Sequence, residues 1–327
     1  MQKKIAIITT GGTIAKAHDP ILGVVPSENI NKKLDDIPYL KNIAETKLIE
    51  FKNIPSPHMN PELMFELSLF IKKIIKGKEF DGVVVTHGTD TLEETAYFLD
   101  LTIDTSKPVV LTAAMRNWSE PSTDGPMNLI AATRVASCDK AIDQGVLVCL
   151  NDEIHAAREV TKTYTSNVAT FDSPGYGPLG IVDEDTVVFF RRSLERMHIE
   201  AKNIEPKVAL IKTYTGDDGS IIRKLPELGY KGLVLEGFGR GNVPPAVADA
   251  AVELVKSGIP VVVVSRCFKG RVLGVYGYPG GGADLRKRGI ILGQEVSGQK
   301  ARIKLVVVLG KTDNLNYIRD YFEYQNR

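Results

Sequence analysis

The sequence predicts a two-domain α/β protein, with a larger N-terminal domain on a mostly parallel sheet flanked by helices and a smaller C-terminal α/β domain. Three observations carry that expectation. Short, continuously apolar, β-branched runs recur, as strands buried on both faces require. Segments with helical start and stop signals lie between them. The chain has 327 residues, more than one hydrophobic core ordinarily serves, since domains run to about 100 to 200 residues.

Taken in order, Ile5 to Thr9, Gly82 to Thr86, Val109 to Thr112 and Val146 to Leu150 are the expected strands of the first sheet. A helix opens at Asn60 as N-cap, with Pro61 in the first turn and Glu62 beside it. It runs through Leu63, Leu67, Phe70 and Ile74 and stops at Gly77. A second helix begins near Thr91, where Thr91-x-x-Glu94 has the spacing of a capping box, and a third follows Asp124-Gly125-Pro126. The pattern weakens from about Val182. Residues 1–190 are the expected N-terminal catalytic domain, 191–206 a charged linker holding Arg191, Arg192, Arg196 and Glu205-Pro206, and 207–327 the C-terminal domain. Within the last, Val208 to Lys212, Leu233 to Glu236 and Val261 to Val264 read as strands, and Pro244 to Lys256 as a helix. Ile303 to Leu309 stays open between strand and helix. No internal repeat or low-complexity tract is present.

Lys and Arg number 41 against 40 Asp and Glu, a net charge of +1, which argues against a nucleic-acid or membrane-surface partner. The three cysteines, Cys138, Cys149 and Cys267, have no C-x-x-C spacing, so neither a disulfide framework nor a thiolate metal site is expected. After Met1-Gln2-Lys3-Lys4 the apolar run Ile5 to Ile8 is too short for a signal peptide, and no stretch approaches the ~20 residues of a membrane span. The cytoplasm is the expected location. His18, His58, His87, His155 and His198 show no paired metal spacing and read as polar or packed residues. A G-x-S-x-G elbow and a Walker loop are missing from the chain, and the turn after the first strand, Thr9 to Ile14, carries no G-x-G-x-x-G.

Chemistry concentrates in three turns that follow apolar strands, the position where open α/β sheets place ligands. The first is Thr9-Thr10-Gly11-Gly12-Thr13-Ile14, whose glycines let backbone N–H groups face a ligand oxygen beside the Thr13 hydroxyl. A plain tight turn would look the same. The second is Thr86-His87-Gly88-Thr89-Asp90-Thr91-Leu92-Glu93-Glu94. A threonine hydroxyl needs a base, so Thr89 beside Asp90 would act with a lysine of lowered pKa, unless Thr89 and Thr91 only cap the next helix. The third turn, Asn151 to Thr163, supplies Lys162, which taken singly would be a solvated charge.

Thr10-Gly11-Gly12-Thr13-Ile14-Ala15 together with Thr86-His87-Gly88-Thr89-Asp90-Thr91 resembles the two signature motifs of the bacterial-type L-asparaginase and glutaminase-asparaginase family. Further stretches match in order over nearly the whole chain: Ala113 to Arg116, Asp124-Gly125-Pro126-x-Asn128, Val160 to Thr163, Tyr176 to Gly180, Gly239 to Asn242 and Gln299 to Arg302. The resemblance implies hydrolysis of a side-chain amide to an acid and ammonia through a threonine acyl-enzyme, with neither metal nor cofactor. It assigns Thr13 as nucleophile and Thr89, Asp90 and Lys162 as the second catalytic cluster. Substrate contacts fall on Gly12, Ser56, Gly88, Thr89, Asp90 and Ala113, with Ser56 at the α-carboxylate and Asp90 at the α-amino group. It further implies that Asn242 arrives from a neighbouring subunit, in a homotetramer built as a dimer of dimers.

The chain departs from the family pattern in three places. No tyrosine occurs between Thr13 and Tyr39, where the family has a mobile-loop tyrosine; Pro57 stands where a glutamine is usual; and Gly280 to Gly282 replaces an intersubunit glutamate. Such losses alter recognition of the amino-acid head group, since unpaired buried polar groups cost ~1 to 3 kcal/mol. Asparagine hydrolysis is the leading expectation. The rivals are an ω-amidase for glutamine, a D-amino-acid amide or another amide, a non-catalytic amino-acid-binding relative, and the ammonia-supplying subunit of a tRNA-dependent amidotransferase.

Overall fold

In the computed structural model, which describes residues 2–19, 23–26, 37, 39–194 and 196–323, the chain divides into two units between His198 and Ile199. The boundary falls inside the span read as a linker. In the first unit, β1 (Lys4–Gly11) is followed by an antiparallel pair, β2 (Lys16–Asp19) and β3 (Gly23–Pro26). Then come α1 (Leu40–Ile43), β4 (Glu45–Ile54), α2 (Pro61–Lys76), β5 (Gly82–Thr86), α3 (Leu92–Thr102), β6 (Val109–Thr112) and α4 (Gly125–Ser137). β7 (Val146–Leu150), β8 (Glu153–Ala156), β9 (Thr161–Lys162), β10 (Phe171–Asp172), β11 (Gly180–Asp183) and β12 (Thr186–Phe189) complete it.

Among the described residues the main sheet has eight strands in the order β12-β11-β8-β7-β6-β5-β1-β4. The run β4-β1-β5-β6-β7 is parallel, and β8, β11 and β12 extend it antiparallel. Both faces are covered. Ile5, Ile7, Val84, Val110 and Leu147 pack on one side with Leu129, Ala132 and Val135 of α4. Ala6, Ile8, Val83, Val85, Leu111 and Val148 pack on the other with Leu67 and Ile71 of α2 and Ala96 and Leu99 of α3. Alternate residues of one strand feed opposite cores, which is why these strands are apolar without interruption.

The α2 cap forms as its sequence predicts, with the Asn60 side chain accepting from the Leu63 N–H at 2.8 Å. The capping box at Thr91 does not form. The Thr91 hydroxyl instead donates to the Ser56 carbonyl at 2.8 Å, so it ties two loops together rather than closing its own helix. The weakening pattern from Val182 also conceals structure, because β11 and β12 make a hairpin at the sheet's edge. Its outer strand is only half-buried and carries no clean alternation.

The second unit holds β13 (Val208–Lys212), α5 (Ser220–Lys224), β14 (Gly232–Gly237), α6 (Pro245–Lys256), β15 (Val261–Ser265) and α7 (Gly282–Lys287). β16 (Ile291–Leu292), α8 (Gly298–Leu309) and α9 (Leu315–Glu323) follow. Its parallel sheet runs β13-β14-β15-β16. The ambiguous segment Ile303–Leu309 belongs to α8, which buries residues around most of its circumference and so lacks a polar stripe. Gly280 to Gly282 is closely packed. A Cβ at Gly280, with φ +83, would lie 2.2 Å from the Val243 carbonyl oxygen, and one at Gly281 would lie 2.4 Å from that of Tyr276. Arg286 and Arg288 pair with Glu323 at 3.1 Å and Asp249 at 2.6 Å. Among the described residues no helix is long and apolar enough to cross a membrane.

His87 joins β5 to its neighbours. Its N–H donates to the Thr112 carbonyl at 2.9 Å, and its ring is fully buried. Nδ1 lies 2.8 Å from the Gly88 carbonyl oxygen and Nε2 3.1 Å from Thr95 Oγ1. Because a carbonyl only accepts, Nδ1 is assigned the hydrogen and Nε2 accepts from the hydroxyl. Burial pushes the ring pKa down to about 4. In the unfolded chain the ring titrates near pH 6.5, so between pH 6.5 and 4 the unfolded state binds more protons. This contribution is full above pH 6.5 and lost as pH falls towards 4, at about 1.4 kcal/mol per pH unit. Urea titrations across that window will show wild-type stability falling more steeply with acid than that of His87→Asn; equal slopes would refute this assignment.

Candidate active site

Three loops at the carboxyl ends of the adjacent strands β4, β1 and β5 approach one another backbone to backbone. Gly11 and Gly12 have φ +108 and +85, values an L side chain rarely adopts. A Cβ on Gly11 would fall 2.4 Å from the Ile54 carbonyl oxygen, one on Gly12 2.4 Å from the Gly88 nitrogen, and one on Gly88 2.6 Å from Ser56 Oγ. The Gly12 N–H donates to Ile54 at 3.2 Å, and Thr10 Oγ1 to the Thr86 carbonyl at 2.9 Å. Thr13 follows directly, opening a 3-10 turn from Thr13 to Ala15.

Ser56 begins the turn after β4, and its buried hydroxyl accepts from the Asp90 N–H at 3.3 Å. Thr89 and Asp90 occupy the turn between β5 and α3. Lys162 reaches them from β9, where it pairs with Phe171 of β10. Its Nζ donates to Thr89 Oγ1 at 3.0 Å and to Asp90 Oδ1 at 2.7 Å. The lysine side chain is 15% exposed and that of Asp90 57%, so the pair faces solvent from one side only. An amine one hydrogen bond from a buried hydroxyl can exchange a proton with it, and the carboxylate holds the amine in place.

The cluster has its own supports. Glu93 Oε1, on the first turn of α3 and buried, accepts from Thr161 Oγ1 at 3.1 Å and from the Lys162 N–H at 3.3 Å. It therefore links the helix that follows Thr89 and Asp90 to the strand that carries Lys162. Beyond β6, Asn128 Nδ2 donates to the carbonyl of buried Ala113 at 2.9 Å, and Asp124 accepts from the N–H groups of Met115 at 3.0 Å and Arg116 at 2.8 Å.

Thus Ser56, Thr89, Asp90 and Lys162 are joined by direct hydrogen bonds, Gly12 and Gly88 lie in backbone contact, and Thr13 adjoins Gly12. Ala113 sits at the end of the next strand. Asn242 belongs to the second unit, where its Oδ1 accepts from the Gly282 N–H at 3.2 Å. Pro57 lies in the Ser56 turn. Of the stretch Asp19 to Gly23, where the family tyrosine is lacking, residues 20–22 lie outside the described residues. Glu93, His87, Asp124 and Asn128 were not singled out by sequence as parts of the site. Two adjacent glutamates at a helix start read as ordinary favourable charges, and a lone histidine reads as packing. Among the described residues no group of three or more His, Cys, Asp or Glu could hold a metal ion.

Comparison with known proteins bears on the whole chain. The family model for the N-terminal domain of asparaginase matches residues 4–195, and that for the glutaminase/asparaginase C-terminal domain matches residues 207–322. An L-asparaginase of Bacillus licheniformis is 37% identical over 94% of this chain and 96% of its own length. A probable periplasmic L-asparaginase of Haemophilus influenzae is 39% identical over 98% of this chain and 92% of its own. The solved structure of a probable cytoplasmic L-asparaginase from Campylobacter jejuni superposes with a TM-score of 0.88 at 36% identity, covering 98% of this chain and 99% of that one. The chain belongs to the asparaginase family.

Proposed function

We propose that this protein is an L-asparaginase-type amidohydrolase that converts L-asparagine to L-aspartate and ammonia through a threonine acyl-enzyme. The observation that carries the reading is the Lys162 amine held at once by the Thr89 hydroxyl and the Asp90 carboxylate, 3.0 and 2.7 Å away. Thr13 attacks the side-chain amide carbon. The proton lost by the Thr13 hydroxyl passes to the amide nitrogen, the carbon-nitrogen bond breaks to release ammonia, and an ester remains on Thr13. A water then attacks this ester, giving its proton through Thr89 to Lys162, whose ammonium form Asp90 balances. Release of aspartate returns the proton to Thr13.

Gly12, Gly88, Thr89 and Ala113 line the reacting end, where backbone N–H groups meet the developing oxyanion. The Ser56 hydroxyl takes the α-carboxylate and Asp90 the α-amino group. Residues 1–190 form the catalytic domain, 191–206 the linker, and 207–327 the domain that lends Asn242 to a neighbouring subunit. The working assembly is a homotetramer, a dimer of dimers, and its location is the cytoplasm, a reading supported by the likeness to the probable cytoplasmic L-asparaginase of Campylobacter jejuni. A second reading, an ω-amidase for glutamine, a D-amino-acid amide or another amide, is favoured by Pro57, a residue without an N–H to offer a head group.

Ammonia release measured side by side on L-asparagine, L-glutamine, D-asparagine and succinamate tests both. The expected result is turnover of L-asparagine, a fall of roughly 10³-fold or more in Thr13→Ala and Thr89→Val, and poor turnover of succinamate, which lacks the amino group. Turnover of another amide alone would establish the second reading. The shared site has a separate test in mixtures of Thr13→Ala with Asn242→Ala. If Asn242 serves a neighbour, random assortment restores about a quarter of wild-type activity, because one site of each mixed dimer is intact. If it serves its own chain, mixing restores nothing.

A further inference from the structure

Glycine at position 88 leaves one peptide of the site without intrinsic orientation. Gly88 has no side chain because Ser56 occupies the space, its Oγ lying 2.6 Å from where a Cβ would stand. A glycine costs little to rotate, so the plane of the Gly88–Thr89 peptide has to be set by something else. The His87 ring does this, with Nδ1 2.8 Å from the Gly88 carbonyl oxygen. The ring cannot swing away, because it is fully buried, its Nε2 is engaged by Thr95 Oγ1 at 3.1 Å, and its own backbone N–H is tied to Thr112. In a trans peptide the N–H points opposite to the C=O. With the Gly88 carbonyl drawn towards the buried ring, the Thr89 N–H is turned the other way. That N–H donates to no group among the described residues, whereas the next one along, on Asp90, is occupied by Ser56.

We propose that His87 is a positioning residue: its Nδ1–H, donating to the Gly88 carbonyl, fixes the Gly88–Thr89 peptide so that the Thr89 N–H faces the substrate's reacting carbonyl as an oxyanion donor. The inference rests on the amidohydrolase reading above and adds to it a residue that touches no substrate atom. Removing a donor of this kind outright lowers kcat by about 10²- to 10³-fold, and loosening it lowers kcat by less.

Three variants separate positioning from packing. In His87→Asn the amide nitrogen falls near the place of Nδ1 and keeps the bond to Gly88. In His87→Gln it falls near the place of Nε2 and keeps only the bond to Thr95. His87→Leu keeps neither. Steady-state ammonia release from L-asparagine should show His87→Asn within about 3-fold of wild-type kcat. His87→Gln and His87→Leu should lie about 10- to 100-fold below it with KM within about 2-fold. Crystal structures should show the peptide in place in His87→Asn and rotated in His87→Gln. Should His87→Leu fail to fold, the comparison between the two amides still decides. Wild-type kcat in folded His87→Gln, or His87→Asn as slow as His87→Gln, would overturn the proposal. A wild type silent on every amide would sink the underlying reading instead, and the peptide orientation in the two crystal structures would then decide the role of His87.

Discussion

Backbone is packed against backbone at the mouth of the sheet, and the arrangement of the site depends on that closeness. The hypothetical Cβ atoms of Gly11, Gly12 and Gly88 would lie 2.4 to 2.6 Å from Ile54, Gly88 and Ser56, distances that real Cβ atoms do not tolerate. Parallel strands bring the ends of β4, β1 and β5 side by side, but only glycines let the loops beyond them touch. The result is a rim in which N–H groups and hydroxyls from segments far apart in sequence share one small volume.

Onto that rim Lys162 is carried by a two-residue strand with little stability of its own. Its placement comes from pairing with Phe171, from the Glu93 carboxylate that holds its N–H, and from the partners of its amine. The ion pair with Asp90 is open to water on the aspartate side, so its contribution to stability is small. Its effect is orientation. A carboxylate fixed 2.7 Å from the amine keeps the nitrogen at hydrogen-bond range from Thr89.

The parts of the fold legible in sequence are those in which one physical demand acts alone. β5, β6 and β7 are sandwiched between two helical layers and are apolar throughout, so their limits follow from the sequence, and α2 carries its N-cap and stop at the expected residues. The edge strands β4 and β12 and the linking strand β11 are illegible for the opposite reason, since part-exposed residues relax the pattern, and β8, though mostly buried, is broken by the polar Glu153 and His155. α8, buried on most sides, lacks the polar face that would have separated helix from strand. In the site, the turns at Gly11-Gly12-Thr13 and Thr89-Asp90 stand out by position and polar density. Lys162 does not: as one of the chain's 41 basic residues it gains meaning only beside the other turns, through the family resemblance. Glu93 and His87 act through contacts with segments distant in the chain, or through the main chain, and such contacts leave no local spacing to read.

A proton-transfer role for the Lys162 amine is tested most directly by removing that amine with the fold left intact. Lys162→Met keeps the length and apolar stem of the side chain while deleting the nitrogen. With an unchanged melting temperature and KM, kcat for L-asparagine should fall by about 10²- to 10⁴-fold, the range that a positioned proton-transfer group supplies. A folded Lys162→Met protein releasing ammonia within a few-fold of the wild-type rate would contradict it, and the cluster of Thr89, Asp90 and Lys162 would then be a structural feature of the β9 hairpin.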